Sequence, residues 1–466
     1  MTKNKLKALI ISAFLIIAVC CTQMQQSRNN SNTTNVNNVQ KTADVCSASA
    51  DWLTSPSLPG EIVDNQTTCP FHQFSWQTFL AFMNQTGTSD RAFQDEKNFP
   101  LLLADGKNSC VDNNLQSRLF IRTGKDNDGP DDDFILPERI TQAAKSNPAI
   151  IYDINGNVVL YEVRFSRDEC SLDPKTALMF PPGTTEIKVS YRAIKETDKS
   201  NYVWINADIN GDGKIDPDEL LGMVGFHLVK STPNHPEFIW ASFEHIQNAP
   251  ECEKPAAAPA AGWSFTSATC AAELPNSVDS KTCDFNLAAP SPSPTPTLKG
   301  GPPTQVCKVY HDGSKTGDTA FGDNVAAIDA LNNQLTGPNG LIAKTLSASN
   351  PLAVLQNYQL IGTLWLIDPN QSSQLPGKPT TDTTNQVGSI QLANSTMETS
   401  FQQFTVASNG DAMPVGYTGS KDLQPAANCF FCHRYDAGDP KANPPTPRNN
   451  VQISHIYPKG IFGTTN

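Results

Sequence analysis

The sequence predicts an α+β chain, with a β-rich N-terminal region followed by a helical and irregular C-terminal region. Three observations carry that expectation. Short apolar runs of alternating character crowd residues 149–243. A Pro-rich stretch at 286–303 interrupts the pattern. Beyond it, residues 323–335 repeat their apolar positions at helical spacing.

Taken in order, the chain opens with Lys3, Lys5 and Lys7, then runs apolar from Ala8 to Val19 with only Ser12 intervening. A membrane span needs about 20 residues, so residues 1–21 read as a secretory leader. The run ends in Cys20-Cys21, which predicts a lipoprotein signal with lipid on either sulfur. The expected location is outside the cytoplasm, in a periplasm or held on an outer membrane by that lipid alone. Residues 22–45 are rich in Asn, Gln, Ser and Thr, the composition of a disordered tether.

Residues 46–285 form the expected β-rich region. Phe71–Met83 carries aromatics on two helical faces and predicts a buried helix. Ala149–Phe165 predicts a hairpin turning at Asn155-Gly156-Asn157. Further strands are expected at Glu186–Ile194, Tyr202–Ile205, Phe226–Val229 and Phe238–Phe243. Residues 286–303, containing SPSPTPT and GGPP, predict an extended, solvated linker or insertion. In residues 304–466, Asp323–Leu335 predicts an amphipathic helix with Asp323 as its cap, and Tyr358–Ile367 a buried apolar segment.

A hydrophobic fraction of 38% supports a real core, whereas a net charge of -12 without a basic stripe excludes nucleic acid as a partner. Of the 12 cysteines, two fall in the leader and two near the C-terminus. The other eight are Cys46, Cys69, Cys110, Cys170, Cys252, Cys270, Cys283 and Cys307. An even set in an exported chain predicts up to four disulfides, in pairings that spacing leaves open. Cys252, Cys270, Cys283 and Cys307 surround the Pro-rich stretch and are expected to staple it.

Cys429-Phe430-Phe431-Cys432-His433 has the pattern C-x-x-C-H. Two thiols at this spacing add to the two vinyl groups of one haem, and the next residue offers an imidazole to the iron. A zinc half-site would need a second ligand pair, and none follows. A redox dithiol would follow a strand in a βαβ unit, which the preceding residues do not suggest. The pattern therefore predicts one haem c, anchored on Cys429 and Cys432 and ligated by His433. No Met follows His433 and only 33 residues remain, so an ordinary small cytochrome c fold is not expected. The sixth iron position stays open among His455, Met397, Met413, His227, His235 and His245, or no protein ligand at all.

Asp208 to Glu219 spells DINGDGKIDPDE, the spacing of a 12-residue EF-hand loop. Asp208, Asn210, Asp212, Asp216 and Glu219 supply side-chain oxygens, Lys214 a carbonyl, and Gly213 the sharp turn. A single structural Ca²⁺ site is expected, followed by a short helix.

Several blocks resemble the exported single-haem cytochrome c family proteins of proteobacteria. They are FSWQTFLAF (74–82), LYEVRFSRDE (160–169), MVGFHLVKSTPNHPEFIWASFEHIQNAP (223–250), YQLIGTLW (358–365), LANSTMETSFQ (392–402) and NCFFCH (428–433). The resemblance implies haem at Cys429, Cys432 and His433 and sets no substrate. The calcium loop is outside the family's pattern. The expected role is single-electron transfer with exported redox partner proteins. The rival expectation is a peroxidase-like haem oxidoreductase, or a haem-based sensor, with an open sixth iron position.

Overall fold

The computed structural model describes residues 46–63, 67–85, 90–102, 110, 121–122, 149–173, 176–207, 209, 214–252, 255–274, 283, 285–286, 289–290, 301–309, 322–373, 385–399, 404–406, 412–414, 429–433 and 435–454. The leader and the tether lie outside them. Among the described residues no helix is long and apolar enough to cross a membrane.

The strands are β1 (Leu101–Leu102), β2 (Ile121–Arg122), β3 (Ala149–Ile150), β4 (Leu160–Phe165), β5 (Thr185–Ile194), β6 (Trp204–Asn206), β7 (Leu220–Lys230), β8 (Ile239–His245), β9 (Ala289–Pro290), β10 (Tyr358–Leu366), β11 (Gln386–Gly388), β12 (Phe404–Val406) and β13 (Ala412–Pro414). Helices are few: α1 (Asp51–Thr54), α2 (Cys69–Met83), α3 (Ala268–Glu273), α4 (Gly322–Leu335), α5 (Leu341–Thr345) and α6 (Cys429–Cys432). One nine-stranded antiparallel sheet runs in the order β1-β4-β5-β7-β8-β10-β11, with β2 also on β4 and β6 also on β7. The chain is thus mostly β, built on a single large sheet.

Strand alternation sorts the side chains onto two faces. On one, Val189, Met223, Phe226, Ala241, Phe243 and Leu360 pack under Trp76, Phe79 and Leu80 of α2 and Leu331 of α4. Phe79 stacks on Phe243 with ring centres 4.0 Å apart, and Trp76 meets the same ring edge-on at 5.0 Å. On the other face, Tyr161, Val163, Val224, Trp240 and Leu364 lie under Leu392, Met397, Phe430, Tyr435 and Ile453. A register shift between Ser190 and Tyr191 of β5 falls opposite Val224 of β7. That extra residue lets Met223 and Phe226, three apart, face the same helical layer.

The expected division at the Pro-rich stretch is corrected. β10, from beyond it, pairs with β8 from before it, Tyr358 opposite His245 and Leu364 opposite Trp240. The apolar run 358–366 was too uniformly buried to show a strand's alternation, because both faces of this central strand are covered. The ends of 286–303 are tied to the fold although Pro302 and Pro303 are exposed: β9 pairs with β3, and Thr304, just beyond the stretch, exchanges two hydrogen bonds with Tyr152.

The hairpin at Asn155–Asn157 forms as expected. Tyr152 bridges Val158, Gly156 takes φ +74°, and one carboxylate oxygen of Asp153 accepts from the amides of Asn155 and Asn157. The helix expected from Asp323 begins at Gly322, so Asp323 lies inside the first turn rather than ahead of it. The short helix expected after the calcium loop is absent. β7 starts directly at Leu220, because LLGMVGFHLVK finds partners on both sides in β5 and β8.

All eight cysteines outside the leader and the C-terminal motif are paired: Cys46–Cys69, Cys110–Cys170, Cys252–Cys307 and Cys270–Cys283. Cys252–Cys307 closes a loop around the Pro-rich stretch, and Cys270–Cys283 lies within that loop, ahead of the stretch.

Candidate haem and calcium sites

α6 is one turn of helix over the C-x-x-C motif, and the amide of His433 donates to the carbonyl of Cys429 at 2.8 Å. Positions i, i+3 and i+4 share one face of such a turn. The turn therefore sets 429, 432 and 433 on one side, as two thioethers and an axial ligand require. None of the four disulfides uses Cys429, which is half-buried.

The imidazole of His433 is fixed from two directions. Its Nδ1 donates to the backbone carbonyl of Ile453. A carbonyl only accepts, so Nδ1 holds the proton and Nε2 carries the lone pair in the neutral ring. A ring held this way has the arrangement of a metal-ligating histidine, oriented by a partner on its other nitrogen. Trp240 of β8 packs against the imidazole with ring centres 4.7 Å apart and planes tilted by 49°. The same indole meets Phe430 edge-on at 5.9 Å. Phe430 is fully buried and anchors the motif to the sheet. These residues fit a c-type haem: paired thiol positions, an imidazole of defined tautomer, and an aromatic wall.

The segment 392–399 lies on the same face of the sheet and is knitted to it by polar contacts. Asn394 donates from Nδ2 to Ser242 Oγ at 3.0 Å and to the carbonyl of Phe243 at 3.1 Å. The amide and hydroxyl of Ser395 both donate to the Glu244 carboxylate. Tyr161 donates to the carbonyl of Thr396 at 2.7 Å. Glu398 accepts from His227 Nε2 at 2.9 Å and stands 3.8 Å from Lys188 Nζ. Burial pushes the Glu398 carboxyl up, but His227, Lys188 and the amide of Asn394 outweigh it and hold the group down at about 2. Four of the sequence blocks, from 160, 223, 392 and 428, thus meet on one face.

The proposed sixth ligands separate clearly. Met397 is buried in the same apolar cluster as Phe430 and Trp240. His227 is held by Glu398. His245 lies on the helix-covered face; Nε2 donates to the carbonyl of Asn201 at 2.9 Å and Nδ1 accepts from the amide of Gln247 at 3.2 Å. Burial first, then Arg192 and Lys308, lower its pKa to about 3. His235 is fully buried against Glu237, Nδ1 to Oε1 at 2.8 Å. Met413 lies in β13 opposite Thr405 of β12, and its side chain, like the whole of His455, lies outside the described residues.

The EF-hand-like sequence joins β6 to β7, which pair Asn206 with Leu220. It is therefore the tip of a β-hairpin. Asp208, Asn210 and Asp212 lie outside the described residues, as does Gly213. Lys214, Asp216 and Glu219 are described, and the Glu219 carboxylate turns into the loop. One oxygen accepts from the amide of Ile209 and the other from that of Asp216, each at 3.2 Å. The position-12 carboxylate thus ties the loop's described ends together through both of its oxygens. Among the described residues no group of three or more His, Cys, Asp or Glu stands ready for a metal. A cleft of about 1100 Å³ beside this hairpin, lined by Trp204, Asn206 and Ile215, shares no residue with the surroundings of His433.

Sequence reasoning missed Ile453 as a neighbour of the motif and favoured sheet packing over a pocket role for Trp240. A backbone carbonyl leaves no trace in a sequence. Trp240 reads as one apolar strand residue among several. No protein family, curated protein or solved structure matches the chain.

Proposed function

We propose that this chain is an exported c-type cytochrome carrying one haem, attached through Cys429 and Cys432, ligated by His433, and passing single electrons between exported redox partners. The observation that carries the reading is the pairing of His433 Nδ1 with the carbonyl of Ile453 inside a C-x-x-C-H turn. That pairing leaves Nε2 as the lone-pair nitrogen, the one an iron would take, on the residue that follows the second cysteine. When bound, the haem supplies an iron that cycles between ferric and ferrous states. The chain's own part is to hold the imidazole plane through Ile453 and Trp240 and to keep water from the buried ring of Phe430. The four disulfides agree with a life outside the reducing cytoplasm, and the leader with a lipid anchor as the membrane attachment. Glu219, aimed into its hairpin loop, supports a structural Ca²⁺ site that also uses Asp208, Asn210, Asp212, Lys214 and Asp216.

A second reading, a haem oxidoreductase or sensor with an open sixth position, is favoured by the engagement of both ring nitrogens of His245 and of His227 Nε2. Expression in a host able to attach haem c separates the readings. One haem of added mass with a low-spin six-coordinate spectrum in both oxidation states supports electron transfer. A high-spin ferric spectrum with ready CO or peroxide binding supports the alternative. A colourless chain without the added mass would end both.

A further inference from the structure

Trp240 is 6% exposed, sits in the middle of the sheet, and touches both Phe430 and His433. Its indole Nε1 is buried and has no hydrogen-bond acceptor among the described residues. An indole N–H can only donate, and leaving it dry and unpaired costs about 1–3 kcal/mol. The neighbouring polar groups of β8 on the same face do not share this defect: Ser242 is met by Asn394, and Glu244 by Ser395 and Lys308. Trp76 and Trp263 also bury an unmet indole N–H, but of the three only Trp240 has its ring against the C-x-x-C-H turn.

We propose that Trp240 is a haem-positioning residue, whose ring holds the proximal imidazole in plane and whose N–H donates to a propionate carboxylate of the haem. The inference rests on the haem reading above. The porphyrin nitrogens are committed to the iron, so the propionates are the acceptors a haem brings. A carboxylate is also the partner that gains most from a donor in a dry site, since charge-assisted bonds are roughly twice as strong as neutral ones.

The test uses the full chain, made with haem attached, and compares wild type with Trp240→Phe. A hydrogen bond to the ionised form of an acid lowers its pKa. Removing the N–H should therefore move the propionate inflection in the potential-against-pH curve to higher pH. The propionate bending band in the resonance Raman spectrum should shift as well. Haem mass and the signature of histidine ligation should stay as they are. An unchanged inflection together with an unchanged band would overturn the proposal. If Trp240→Phe does not fold, Trp240→benzothienylalanine keeps the bicyclic shape and deletes only the N–H, with the same two readouts deciding. Wild type that takes up no haem refutes the functional reading itself; haem-bearing variants that match wild type refute only the role of Trp240.

Discussion

The Nδ1–H of His433 is held by the carbonyl of Ile453, twenty residues along the chain. Ile453 is in turn placed by Asn450, whose carbonyl accepts its amide at 3.1 Å. The buried Asn450 side chain accepts from Phe180 N and donates to the carbonyl of Pro236, both at 2.7 Å. The imidazole is thereby tied to the connection between β7 and β8, and the residues after the motif belong to the site.

Asn450→Ala should loosen that chain of contacts without touching the thioether positions. Haem mass should be unchanged. The hold on the iron by His433 should weaken by on the order of 10-fold, the usual effect of removing an outer partner of a metal-bound histidine. The high-spin fraction of the ferric spectrum reads this directly, and a spectrum identical to wild type would show that the Asn450 side chain has no part in placing Ile453 against the ring.

Segment 392–399 lies directly over Gly225, with no room for a side chain there. A Cβ there would stand 2.5 Å from Ser190 Oγ, 2.6 Å from Thr396 Oγ1 and 2.8 Å from Asn394 Oδ1. Gly225→Ala should destabilise the fold by about 1–3 kcal/mol, as overpacking of a tight interior does. Urea unfolding measures it; a loss under about 0.5 kcal/mol, the range of neutral surface changes, would mean the segment lifts away freely.

Calcium should stabilise the chain in proportion to its binding. At a concentration 100 times the dissociation constant the gain is about 2.7 kcal/mol. It should appear as a Tm that rises with added Ca²⁺ and falls with chelator, while the haem spectrum stays constant. Glu219→Gln removes a charged oxygen from position 12 and should abolish most of the rise. A Tm indifferent to Ca²⁺ in wild type would leave the loop as an acidic hairpin tip.

Acid should begin to destabilise the fold below about pH 6.5. His72 is buried between Thr363 and Asn324; burial outweighs the Asn324 hydrogen bond and lowers its pKa to about 4. His245 is lowered to about 3. Both titrate near 6.5 when unfolded, so the unfolded chain binds more protons as pH falls from 6.5 toward 4. The contribution of these two histidines is full above 6.5 and drops by ~1.4 kcal/mol per pH unit for each, while Glu169 and Glu237, both raised by burial, act in the opposite sense above the ordinary carboxylate range. Glu398, held at about 2, adds a further loss from about 4.5 downward. His72→Gln should flatten the upper part of this decline. Urea midpoints that do not move between pH 7 and pH 5 would contradict the assignment.

Much of this was legible in the residues, and the failures have physical causes. The turn at Gly156, the helix through Trp76 and the strands β4, β5 and β8 followed from short apolar or aromatic runs next to turn residues such as Asn155–Asn157 and Pro233–Pro236. β10 was legible only as a buried apolar segment, because a strand covered on both faces shows no alternation; β4 and β8 are covered on both faces too and were marked by their neighbouring turns. The motif Cys429 to His433 was legible from its spacing alone. Its surroundings were not: Trp240, Ile453 and Asn450 come from segments brought together only by the tertiary fold. The eight disulfide cysteines could be counted but not paired, since pairing depends on which loops the sheet brings together.

The nesting of Cys270–Cys283 inside Cys252–Cys307 has a consequence for proteolysis. A single cut anywhere between Cys283 and Cys307 leaves Cys252 on one fragment and Cys307 on the other, still joined by their bond. The fragment bearing the C-x-x-C-H turn then stays tethered to the strands β4, β5, β7 and β8 on which it rests. Nicked protein should run as one species on a gel without reductant and as two with it. Throughout the loop closed by Cys252–Cys307, the Pro-rich stretch included, the sulfur bridge rather than the backbone keeps the two halves of the sheet joined.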